Sequence, residues 1–159
     1  MRAPLPFVRG AWAVLAAATL ALAGCVATPE ATPERDAEAK RFIPRPGAAT
    51  IYVYRPGFSS ADRNDPALHV DDRLIGETLP GTFFRVEVPP GKRVLYTFGP
   101  GGSQVEIDAR PGELHFVALE VSGSQSRFVR VTPDGGRREI VRCCALLENW
   151  ASGQRPLLR

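Results

Sequence analysis

The sequence is poor in the residues that most often carry chemistry. It holds 2 histidines, 3 cysteines and 1 methionine in 159 residues, and aromatics make up 8%. No Cys/His cluster offers the four ligands of a zinc site. A serine hydrolase would show a Gly-x-Ser-x-Gly elbow, and Ser122-Gly123-Ser124 is only a turn. A phosphate loop would precede a helix, whereas Gly99 to Gly102 sits between strands. An excess of one charge is also missing, with 20 Lys+Arg against 17 Asp+Glu. Nucleic-acid binding would want a concentrated basic face, and Arg137-Arg138 reads as a solvated strand end. We therefore expect no enzyme activity, no cofactor, no metal and no nucleic-acid partner.

What is present begins with the first 24 residues. Arg2 and Arg9 make a positive start, followed by the apolar run Ala11 to Ala23, too short for a comfortable membrane span. Leu22-Ala23-Gly24-Cys25 resembles the lipobox of bacterial lipoproteins. The resemblance implies cleavage before Cys25, three acyl chains on that residue and stable anchoring, since two chains already hold a protein to a membrane. Residue 26 is Val rather than Asp, which points to the outer membrane facing the periplasm; the periplasmic face of the inner membrane is the alternative. Losing Arg2 and Arg9 leaves 18 Lys+Arg against 17 Asp+Glu, so the remaining chain is nearly neutral.

Residues 25–47 read as the lipidated N-terminus and a flexible linker, polar and proline-rich, reaching roughly 25 Å as a coil and roughly 70 Å if extended. Pro33 to Arg41 has room for a short helical turn, which Pro44 and Pro46 would stop. Residues 48–142 read as a β-domain. Ile51/Val53, Phe84/Val86/Val88, Val94/Tyr96/Phe98 and Val105/Ile107/Ala109 alternate with other residues at strand period. Ala67 to Val70 and Arg73 to Thr78 flank an Asp71-Asp72 turn. Leu114 to Val121 is nearly continuously apolar, as in a strand buried on both faces. Phe128 to Val131 follows, Asp134-Gly135-Gly136 reads as a turn, and Ile140-Val141 as a last strand. Leu146, Leu147 and Trp150 have helical spacing, so residues 143–159 read as a short helix and tail. Seven to nine short strands at this rhythm predict an all-β, immunoglobulin-like or similar small sandwich with a short C-terminal helix.

Ala49-Thr-Ile-Tyr-Val-Tyr-Arg-Pro56, Val70-Asp-Asp-Arg-Leu-Ile-Gly76, Gly81-Thr-Phe-Phe84 and Val88-Pro-Pro-Gly-Lys92 resemble bacterial lipoproteins carrying domain of unknown function 2846. Arg110-Pro-Gly-Glu113 fits the same pattern. The resemblance runs from about Ala48 to Val131. It implies a small extracytoplasmic sandwich and no assigned activity. Both Pro-Gly pairs read as hairpin ends.

Cys25 is the candidate lipidation site. Tyr52, Tyr54 and Phe83 are the candidate contacts for an envelope protein partner, provided they share an exposed face. Cys143 and Cys144 are adjacent, which leaves a vicinal disulfide, buried thiols or an intermolecular bridge open. Arg55 reads as a strand-end charge. Asp62, Asn64 and Asp65 lack the order of a calcium loop and read as turn formers. The expected role is a lipid-anchored, non-enzymatic binding or structural module. The alternative is a ligand carrier or enzyme with a pocket near His69/Asp71 or Cys143/Cys144.

Overall fold

The computed structural model describes residues 28–57, 65–99 and 101–149. Eleven elements follow in order: α1 (Pro33–Ala39), β1 (Ala49–Arg55), β2 (Ala67–Val70), β3 (Arg73–Glu77), β4 (Thr82–Val88), β5 (Gly91–Thr97), β6 (Gln104–Ala109), β7 (Leu114–Ser122), β8 (Gln125–Val131), α2 (Pro133–Cys143) and β9 (Ala145–Leu146). The strands form a five-stranded sheet, β8-β7-β1-β4-β9, and a four-stranded sheet, β3-β2-β5-β6.

Strand β1 is buried along its whole length. Its period-2 alternation splits the apolar residues between two cores. Ile51 and Val53 meet Leu68, Ile75, Leu95 and Val117 between the sheets. Tyr52 and Tyr54 meet Phe83, Phe116 and Ile140 on the other side, under the helices. The described residues thus form three layers: an open sheet, a covered sheet, and a layer of α1, α2 and the chain between α1 and β1.

Pro89-Pro90-Gly91 and Pro111-Gly112 are not hairpin ends. At each, the chain leaves one sheet for the other, β4 to β5 and β6 to β7. The Asp71-Asp72 pair does close a hairpin, with Val70 opposite Arg73 and Asp71 at φ 51°. A short polar side chain tolerates that left-handed conformation.

The C-terminal helix lies ten residues earlier than the spacing of Leu146 and Trp150 predicts. Thr132 caps α2, its hydroxyl accepting from the Gly135 N–H, and Pro133 and Asp134 fill the first turn; all three are favourable helix-start residues. Ile140 and Val141 therefore lie on a helix and not on a strand. Gly135-Gly136 is no turn either: a Cβ at Gly136 would sit 2.5 Å from the Phe116 side chain. Glycine is needed there for the helix to approach the sheet. Leu146 belongs to β9, paired in parallel with β4, while Trp150 lies outside the described residues.

The described part of the expected linker is docked. Thr28 is buried, and its hydroxyl accepts from the Glu77 N–H at 2.9 Å. Ala31 N–H donates to Leu146 O, Glu148 N–H donates to Pro29 O, and Glu30 bridges Leu147. Asp36 Oδ1 accepts from Leu146 N–H at 2.8 Å. Tyr52 donates its hydroxyl to Ala39 O, and the Phe42 ring lies 5.1 Å from that of Tyr52.

Candidate functional site

Among the described residues, the outer face of the four-stranded sheet carries no helix, and the aromatic side chains there remain accessible. Register sets His69 on β2 opposite Tyr96 on β5. Their rings stack at 4.8 Å with planes 13° apart. Phe98, just past β5, stands nearly perpendicular to both at 5.0 and 5.2 Å. It is 71% exposed, high for so apolar a side chain. Tyr96 is also opposite Gln104 on β6. Together these two flank one shallow depression of about 460 Å³ with Asp71, Asp72 and Val94, and another of about 310 Å³ with Phe98 and Ser103. Ring faces, an amide and the exposed Asp72 carboxylate offer stacking and hydrogen bonding on an open surface.

His69 and Asp71 are not an acid–base pair. Asp71 is engaged in holding the hairpin to β5, with Oδ1 accepting from Val94 N–H and Oδ2 from Arg93, both at 3.0 Å. His69 Nδ1 is instead 3.4 Å from Ala67 O. Tyr52, Tyr54 and Phe83 are at most 3% exposed, which removes them as surface contacts. Alternation placed Tyr52 and Tyr54 on one face correctly, but that face is roofed by helices. Burial accordingly raises the Tyr52 and Tyr54 hydroxyls above the usual phenol range. The missed surface residues, Tyr96 and Phe98, carried the same periodic signal. What distinguishes them is that no layer of the described residues covers their face.

Cys143 and Cys144 are joined as a vicinal disulfide at the end of α2. Cys144 is buried, with its sulfur 3.8 Å from Arg55 O. Arg55 is itself buried, Nη1 donating to Thr78 O at 2.9 Å and to Asp65 Oδ1 at 2.8 Å. It ties β1 to the connection after β3 and is not a surface charge. Cys25, Asp62 and Asn64 lie outside the described residues. Among the described residues no group of three His, Cys, Asp or Glu is placed to hold a metal.

The family model for proteins of unknown function, DUF2846, matches residues 45–134. The chain belongs to this family. The DUF2846 match spans β1 to β8 and ends as α2 begins, so it takes in eight of the nine described strands and the aromatic stack but neither β9 nor the disulfide. An uncharacterized protein of Haemophilus influenzae strain Rd is 32% identical over 101 residues. That alignment covers 62% of this chain and 59% of the relative, so the chain spans less than two thirds of the relative's length.

Proposed function

We propose that this DUF2846 protein is a lipid-anchored, non-enzymatic module of the bacterial cell envelope. It lies close against its membrane and presents the open sheet face to an envelope protein. The observation that carries the reading is the docking of Thr28, three residues after the lipobox cysteine. Only Val26 and Ala27 separate lipid from domain, a reach of about 10 Å in extended chain. The module is then pressed to the bilayer surface, most simply at the outer membrane, and does not swing on a long tether.

The partner takes the aromatic face. Asp72 is an exposed carboxylate beside the Tyr96 ring and the Gln104 amide. That combination suits a Lys or Arg side chain, which gains both a counter-charge and a ring face. Asp71 adds little to this charge because Arg93 neutralises it.

Mass spectrometry of the protein from separated membranes tests the anchor: acylated Cys25 is expected, and Cys25→Ala should accumulate as uncut precursor. Normal processing of that variant would refute it. A photo-crosslinking residue at position 98 tests the face in living cells. A discrete adduct that disappears in Asp72→Lys is expected; an adduct unaffected by that change, or none at all, would count against the face.

A further inference from the structure

Among the described residues, Leu114 and His115 begin β7 without a neighbour on its β8 side. The β7–β8 ladder starts at Phe116, opposite Val131, because the chain turns at Thr132 into α2. The gap is a cleft of about 500 Å³ between the start of β7, the end of β8, the first turns of α2 and Pro44. Alternation along β7 and β8 puts His115 and Arg130 on the face that elsewhere sends Val117, Leu119 and Phe128 into the inter-sheet core. Both side chains therefore stand at the mouth between the sheets, where Arg130 donates to Glu106 O on β6. Arg137 enters the cleft from α2.

The polar atoms here are incompletely matched. His115 Nε2 and Arg137 Nε are buried and, among the described residues, have no hydrogen-bond partner. The carboxylates nearby are poor substitutes. Glu113 Oε2 is 3.5 Å from His115 Nε2, and Asp134 Oδ1 is 3.7 Å from Arg137 Nη1. A guanidinium nitrogen only donates, and a buried donor without an acceptor is costly. The N-terminus of α2 adds partial positive charge to the same cleft. Its remaining walls are mostly apolar, with the Glu113 carboxylate as the acidic member of the lining. We infer that the cleft binds a small organic oxyanion, its carboxylate or phosphate held by His115, Arg130 and Arg137 and its apolar body lying on Leu114, Val131 and Pro133. The site is on the β8/β6 edge of the sandwich, away from the edge where Thr28 docks on β3, and it does not depend on the anchor or on the aromatic face.

The test uses the full-length protein in non-ionic detergent, titrated with inorganic phosphate or with hexanoate against sodium chloride at equal ionic strength. A saturable rise in Tm and a shift of the His115 ring signals in NMR are expected, beyond anything chloride produces. Arg137→Gln should weaken the apparent affinity roughly tenfold, and adding Arg130→Gln should abolish saturation. If Arg137→Gln does not fold, Arg137→Lys keeps the charge without Nε and should bind more weakly than the parent. Response to hexanoate alone assigns a carboxylate on an apolar body. Response to phosphate alone assigns a phosphate and overturns the apolar part of the inference. No response beyond chloride, or unchanged titration in the arginine variants, overturns the site.

Discussion

Gly136 and Phe116 illustrate how much one side chain decides. The helix passes so close to the sheet that any Cβ at position 136 meets the Phe116 ring at 2.5 Å. That ring is itself wedged against Tyr52, centroids 5.0 Å apart, and against Phe42, so it has little freedom to give way. Gly136→Ala gains about 1 kcal/mol of helix propensity but overpacks a full core, at about 1–3 kcal/mol. We expect net destabilisation, read as a lower urea midpoint. The aromatics divide just as sharply. Phe83→Ala should cost about 3–5 kcal/mol, whereas Phe98→Ala should leave the unfolding free energy within about 0.5 kcal/mol of the parent, because its ring is largely in solvent. Equal losses in the two variants would contradict the assignment of the two faces.

At the scale of elements, strands were more legible than helices. Period-2 alternation in 51–54, 84–88, 94–98 and 105–109 is a local signal, and each stretch is a strand or runs one residue past it. The sheet each strand joins is not local. Two Pro-Gly pairs of similar composition to hairpin ends serve as crossings between sheets because β1 and β7 pair in parallel, and parallel neighbours need a long excursion between them. Helix α2 was hidden by its two glycines, although Thr132-Pro133-Asp134 marks a helix start. The docked N-terminal segment was hidden by its polar composition. Its grip comes from capping and pairing: Asp36 joins Leu146 N–H and Lys40 Nζ at 2.8 and 2.7 Å. Asp36→Ala should cost about 1–2 kcal/mol and speed hydrogen exchange at Leu146. Unchanged exchange would mean that the segment does not hold β9.

For the whole molecule, pH acts through groups that the layers bury. Burial is the main cause that pushes His115 below its ordinary 6.5; Arg130 and Arg110 add to it, while Glu113 and Asp108 oppose it. The unfolded chain then binds more protons in the window below 6.5. Stability should fall as pH drops from about 6.5 through the folded value. His115→Gln should flatten that part of the stability–pH curve. A slope unchanged in the variant would assign it elsewhere. Glu87 acts in the opposite sense: burial raises it despite Arg85 and Arg45 at 3.0 Å, so its contribution declines as pH rises through the carboxylate range. Comparison with the variant isolates the histidine. The short connection to Cys25 makes a further prediction. In liposomes, a dye at Glu30→Cys should transfer energy efficiently to headgroup acceptors, and a Gly/Ser spacer after Ala27 should reduce that transfer. Equal transfer with and without the spacer would sink the membrane-apposed arrangement.

Strand periodicity, the turn residues and the Leu22-to-Cys25 pattern are carried by neighbours in the chain, so the sequence by itself determined an all-β sandwich of this family and the expectation of an anchor. Which face is roofed, which sheet a strand joins and how far the N-terminal segment stays free depend on contacts between residues distant in the chain. The tertiary structure alone decided these: Tyr52 inside and Phe98 outside, Gly136 against Phe116, Thr28 against Glu77. The same short-range pattern is compatible with either side of a sheet until another layer covers one of them.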